Sequence, residues 1–160
     1  MNELMDCKIR QRTFIADSIE KVYDTITNAR KWDEFFTTGM VLEPRPGGDC
    51  IFSWKDWGPD EYTLKAPGRV VDLKRPSLFV FQWGQEGKET TIRIELSATE
   101  GGTVVTLTED GYKNTPEGRA MMVECASGWG EALTLLKFFM EHGIVYNSAV
   151  KAKRAADGQA

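Results

Sequence analysis

Histidine occurs once in these 160 residues, as His142. That scarcity leaves no Ser-His-Asp or Cys-His arrangement for nucleophilic catalysis, and a lone imidazole in a last helical turn suits the exposed carbonyls there. Cysteine is scarce too: Cys7, Cys50 and Cys125 are odd in number, and their spacing fits neither a disulfide framework nor a zinc site. We expect three reduced, buried, structural thiols, no metal and no cofactor. There is no glycine-rich phosphate loop and no dinucleotide fingerprint. Positive charge is not in excess: 20 Lys and Arg against 24 Asp and Glu give a net charge of -4. Phosphate backbones and anionic lipid are not attracted, so nucleic acid is not an expected partner. Long apolar runs are missing as well, the stretch Leu78 to Phe81 falling far short of a membrane span. The opening MNELMDCKIRQRTF carries charge throughout and has no apolar core, so a signal peptide is not expected and a cytoplasmic location is.

What is present suits one hydrophobic core. A chain of this length buries roughly 68–70% of its unfolded surface. We expect one domain over 1–144 and a flexible polar tail over 145–160, carrying Lys151, Lys153 and Arg154. Residues 7–15 read as a strand. Asp17 followed by Glu20 makes a capping-box spacing for a helix over about 18–27, with Ile19, Val22, Tyr23 and Ile26 on one face. A second short helix carries Trp32, Phe35 and Phe36 and is expected to end at Gly39.

From Met40 to Tyr112 the apolar period becomes two. Cys50, Phe52 and Trp54 alternate with polar neighbours, as do Phe79, Phe81 and Trp83, then Ile92, Ile94 and Leu96, then Val105, Leu107 and Glu109. Pro46-Gly47-Gly48, Trp57-Gly58-Pro59-Asp60 and Gly101-Gly102 punctuate the run, and Pro67-Gly68 interrupts residues 61–74, where a bulge or edge is expected. This is a meander of antiparallel neighbours with one dry, aromatic face.

Thr115 to His142 is long enough to cover that face. Thr115 suits the cap, Pro116 the first turn and Gly143 the end. Met122, Cys125, Trp129, Ala132, Leu133, Leu136, Phe139 and Met140 recur at three- and four-residue steps, with Arg119, Glu131 and Lys137 off the stripe. Gly128 and Gly130 flank Trp129 at a cost of about 1 kcal/mol each against alanine, which calls for a bend, a close approach or room for the indole.

The ordered set of Val22-Tyr23, Ile26-Thr27, Phe35-Phe36, Pro46-Gly47-Gly48, Gly68 to Leu73, Pro76, Trp83, Gly102-Thr103, Leu107 to Glu109, Gly128-Trp129, Leu133 and Leu136-Lys137 resembles the START-like (SRPBCC) helix-grip superfamily. Within it, the chain is most similar to the bacterial proteins named after the activator of the heat-shock-protein-ninety ATPase. The resemblance implies an α+β helix-grip fold: a curved antiparallel sheet of about six or seven strands wrapped around a long C-terminal helix, with two short helices after the first strand. It leaves function open, since the fold hosts lipid carriers, cyclases, hormone receptors and co-chaperones.

The leading expectation is a cavity for a small apolar or amphipathic molecule, lined by Phe52, Trp54, Phe79, Phe81, Trp83, Leu107 and Glu109 from the sheet and Met122, Cys125, Trp129 and Leu133 from the helix. Glu109 either faces inward as a polar anchor or stands at the strand's end in solvent. If it is inward and poorly paired, Glu109→Leu is expected to stabilise the empty fold. The alternatives are a co-chaperone-like interaction domain acting on a chaperone ATPase, as the family likeness implies, and a cyclase or hydrolase using Glu109 as acid/base. No catalytic residue is assigned otherwise, and both monomer and homodimer stay open.

Overall fold

Alternating inward and outward side chains begin in β1 (Ile9–Ile15) of this computed structural model, which describes residues 3–146 together with Ala156 and Gly158. Helix α1 (Ile19–Ile26) follows, capped by Ser18, whose hydroxyl accepts from the Lys21 N–H. The cap falls one residue later than the Asp17–Glu20 spacing suggests, because Asp17 turns back to accept from the N–H of Ser18 itself. Helix α2 (Ala29–Phe35) is tied to α1 by the Trp32 indole N–H on the Ile26 carbonyl at 2.8 Å. It stops before Gly39 because one Asp33 oxygen gathers the Thr37 hydroxyl and the N–H groups of Gly39 and Met40, drawing the chain out of the helix.

Among the described residues eight strands, close to the six or seven expected, complete the architecture: β2 (Val41–Leu42), β3 (Cys50–Trp57), β4 (Tyr62–Ala66), β5 (Gly68–Lys74), β6 (Leu78–Trp83), β7 (Thr90–Thr99) and β8 (Gly102–Asp110) follow β1. They form two antiparallel sheets, ordered β1-β8-β7-β6-β5 and β2-β3-β4. The stretch 61–74 is therefore not one interrupted strand. The chain changes sheet at Pro67, which lacks a ladder donor, and the bulge lies further on, between Val70 and Asp72. Gly68 permits the crossing: a Cβ there would stand 2.4 Å from the Gln82 carbonyl oxygen and 2.6 Å from that of Cys50, on β6 and β3.

Helix α3 (Pro116–His142) runs unbroken across the concave side. The Thr115 hydroxyl accepts from the Gly118 N–H, and Gly143 closes the helix in the left-handed conformation at φ 66°. Trp129, Ala132, Leu133 and Leu136 are buried, whereas Met122, Cys125, Phe139 and Met140 are half-buried. The other flank of α3 lies along β1: the Gln11 amide donates to the Ala126 carbonyl, and Lys137 donates to the Phe14 carbonyl and to Glu141, so Lys137 is a clamp rather than a free surface charge. After α3, the Tyr146 N–H donates to the Glu34 carbonyl and its ring lies 5.1 Å from Trp57. The expected tail, with Lys151, Lys153 and Arg154, lies outside the described residues.

Candidate functional site

Register places Glu109 within one transverse row of the large sheet. Val70 pairs with Phe81, Phe81 with Ile92, Ile92 with Glu109, and Glu109 with Ile9. Opposed residues share a face, so the carboxyl group belongs to an otherwise apolar inner row. It is 0% exposed.

Such burial is tolerable only with hydrogen-bond partners. Glu109 Oε1 accepts from the Trp83 indole at 2.8 Å and the Thr90 hydroxyl at 2.6 Å, and Oε2 accepts from the Trp129 indole at 2.7 Å. All three donors are neutral. Among the described residues, no lysine, arginine or histidine forms an ion pair with it. Tyr112 and Cys125 stand beside the same carboxyl group. The Tyr112 hydroxyl is buried and completes no hydrogen bond of good geometry. Burial pushes its phenol well up, and Glu109 and Cys125 add to the shift. Burial likewise pushes the Cys125 thiol up to about 11, with Tyr112 opposing and Glu109 reinforcing the change.

Above the carboxyl group, aromatic rings touch one another. The indoles of Trp83 and Trp129 stack at 5.0 Å, and Phe52 lies 5.3 Å from Phe81, 5.0 Å from Trp83 and 6.0 Å from Trp129. The space between sheet and helix is filled here, not hollow. Beyond this packing the apolar side chains become exposed. Leu64 pairs with the inward-facing Trp54, so β4 turns Tyr62 and Leu64 toward α3, and both are exposed. On the facing wall Met121, Cys125 and Gly128 share one side of α3 by their three- and four-residue spacing. Met121 is exposed, and a Cβ at Gly128 would meet nothing within 4 Å. Burial pushes the Tyr62 phenol up, and Cys125 and Glu124 on α3 add to the shift.

A family model described as activator of Hsp90 ATPase homolog 1-like protein matches residues 17–141, from just before α1 to the last turn of α3. The chain belongs to that family. Among solved structures, this activator-homologue-like chain is similar to a Rhodobacter sphaeroides protein, at 25% identity over 82% of this chain and 91% of that one, with a TM-score of 0.69. It is also similar to a Staphylococcus saprophyticus protein, at 21% identity over 88% and 96% with a TM-score of 0.69. CalU16 from Micromonospora echinospora is a third, at 22% identity over 95% and 81% with a TM-score of 0.64. These likenesses establish the fold. No curated protein matches.

In this family member the residues expected to line a cavity divide into three groups. Trp83, Glu109, Cys125 and Trp129 come together with Phe52 and Phe81. Phe79, Leu107 and Leu133 are buried in the core around them, with Phe79 5.1 Å from Phe81. Trp54 is buried 5.9 Å from the exposed Tyr62, and Met122 is half-buried against the core. Two hollows among the described residues lie elsewhere. One of about 370 Å³ is bounded by α1, α2 and the end of α3, and one of about 260 Å³ lies beside Arg12 and Phe14. Cys7 is exposed, contrary to expectation, because it precedes β1 and the core. Sequence reasoning missed Thr90, Tyr112, Tyr62, Met121 and the role of Gly128. Thr90 was within reach, since it extends the inward alternation of Ile92 and Ile94 by one step. Tyr112 was not, since Gly111, at φ 99°, resets the direction of the chain. No helix among the described residues is long and apolar enough to cross a membrane.

Proposed function

We propose that this protein binds a small amphipathic molecule in the cleft between β4 and the first half of α3, with the Trp83–Trp129 stack as its floor and Glu109 as the polar group beneath. One observation supports this reading: Tyr62 and Leu64 on β4 and Met121 on α3 are exposed apolar side chains, and a Cβ at Gly128 would meet nothing within 4 Å. Apolar walls with few convergent polar groups are the usual composition of small-molecule sites. The aromatic interior fixes those walls in advance, which lowers the cost of ordering them on binding.

The cyclase or hydrolase reading requires a second titratable group facing Glu109. Tyr112 and Cys125 stand there, but burial keeps both protonated near neutral pH, so neither supplies a nucleophile, and three donors already hold the carboxyl group. The co-chaperone reading draws on the family description alone.

The test uses Nile red, a neutral dye whose emission shifts to the blue in apolar surroundings. The parent protein is expected to bind it one to one, and Gly128→Phe, which fills the cleft from the helix side, should abolish the shift. Val123→Phe, an equal addition on an exposed position, should not. Equal binding by all three proteins, or by none, would overturn the reading.

A further inference from the structure

The hollow of about 370 Å³ bounded by α1, α2 and the end of α3 shares no residue with the cleft proposed above. Its lining divides by chemistry. Lys21, Thr25 and Asn28 follow one another at four- and three-residue steps, so they line one side of α1 and the turn after it. Lys31 joins them from α2, its ammonium 5.6 Å from the centre of the Phe139 ring. Phe139 and Met140 of α3 supply the apolar part, both half-buried, and the Phe139 ring stacks on the buried Phe35 at 5.5 Å.

Charge here is of one sign once the local pairs are set against each other. Among the described residues of the lining, Asp24 is the one carboxyl group, and Arg75 engages both of its oxygens at 3.0 Å. The two ammonium groups are not matched in this way. Lys21 stands 3.8 Å from Asp17 and Lys31 3.7 Å from Glu34, longer than hydrogen bonds, and exposed pairs of this kind hold their partners weakly. Asn28 Oδ1 accepts the backbone N–H of Lys31, which leaves the amide nitrogen as a donor, whereas the Thr25 hydroxyl already donates to the Lys21 carbonyl. Lys21, Asn28 and Lys31 are all exposed, so a ligand reaches them from solvent without displacing any element.

We propose that this hollow is a second binding site, for a carboxylate carried on a short apolar body, with Lys21, Lys31 and the Asn28 amide on the head and Phe139 and Met140 on the body. A carboxylate accepts about four hydrogen bonds and donates none, which suits a set of donors without a spare acceptor. Hydrogen bonds in which both partners are charged are the stronger kind. An ammonium head would meet two cations, because Asp24 is taken up by Arg75, and an alcohol would bring no charge to answer them. The volume lies within the usual range of small-molecule sites.

The experiment titrates isotope-labelled protein with 4-phenylbutyrate, 4-phenylbutanol and acetate at neutral pH and low salt, following backbone amide signals by NMR. Phenylbutyrate is expected to bind at about millimolar Kd, a usual strength for a probe of this size, and to move the signals of residues 21–31, Phe139 and Met140. The alcohol lacks the charge and acetate lacks the body, so each should bind about tenfold or more weakly. Lys21→Gln with Lys31→Gln removes both cations at exposed positions and should weaken phenylbutyrate about tenfold or more, whereas Gly128→Phe, which fills the other cleft, should leave its binding unchanged. Equal binding of phenylbutyrate and the alcohol by the parent protein, or of phenylbutyrate and acetate, would overturn the assignment without recourse to any variant. Undiminished binding by the double variant would overturn it too, as would no response to phenylbutyrate. Shifts confined to Tyr62, Leu64 and Met121 would overturn this site and leave the cleft reading standing, and the Nile red test decides that reading separately.

Discussion

Glu109 shows how a single buried carboxyl group can hold a wall together. The expectation that leucine at this position would relieve an ill-paired charge does not survive the structure, because Trp83, Thr90 and Trp129 all spend their donors on it. Indole N–H groups donate only, so Glu109→Leu leaves them nothing to bond. A buried donor stripped of its partner costs about 1–3 kcal/mol. Thr90 and Trp129 are buried and Trp83 is half-buried, so Glu109→Leu should destabilise the protein by about 3 kcal/mol. The midpoint of urea unfolding checks this. An unchanged or raised midpoint would show that the three donors find other partners.

At the level of elements, α3 carries an oddity that caps and periodicity do not explain. Gly128 and Gly130 interrupt an otherwise strong helix former, yet neither is required by its neighbours. Gly128 faces open space, and a Cβ at Gly130 would meet only the Gln11 amide at an ordinary 3.7 Å. Neither the room for the indole nor a close approach to the sheet accounts for them. Gly128→Ala should therefore stabilise the protein by about 0.5–1 kcal/mol, the usual gain from alanine in a helix interior. Thermal unfolding measures it, and a fall in Tm would reveal a close contact or a bend at this turn. The same methyl narrows the proposed cleft, so a gain in stability with a loss in ligand affinity would mark Gly128 as kept for binding.

The whole molecule is two sheets sharing one aromatic core with α3, and its acidic groups inside that core have a common direction. Burial pushes the Cys50 thiol up from its ordinary 9.0 to about 12 and Cys125 to about 11, and it raises Tyr112 further. These groups stay protonated in the folded chain while the unfolded chain releases its protons from pH 9 upward. The unfolded state then binds fewer protons, so stability falls as pH rises. Below pH 9 their contribution is fully present. Unfolding free energy measured from pH 8 to 11 should decline steadily, and Cys50→Ala together with Cys125→Ala should flatten the thiol part of that slope. A slope unchanged by the double substitution would assign the decline to Tyr112 and to surface charge.

Much of this architecture is local and was legible in the residues. Thr115, Pro116 and Gly143 bound α3 through backbone chemistry confined to a few positions, and the alternation of Val105, Leu107 and Glu109 turns all three to one side because a strand repeats every two residues. The number of strands was less legible, since a two-residue β2 carries no period and Pro67-Gly68 reads alike as a bulge or a change of sheet. The site lies further from the sequence still. Thr90, Glu109, Tyr112 and Cys125 meet only after β6, β7, β8 and α3 are assembled, and a hydrogen bond between Trp129 and Glu109 depends on the angle at which the helix crosses the sheet. By itself the sequence determined the period of each element, its caps and the inward set of side chains, all of which follow from interactions within a few residues. Tertiary structure alone decided which aromatic side chains touch, Phe52 with Phe81, Trp83 and Trp129, and that Tyr62, Leu64 and Met121 are left exposed, because packing depends on distances between elements that no local pattern encodes.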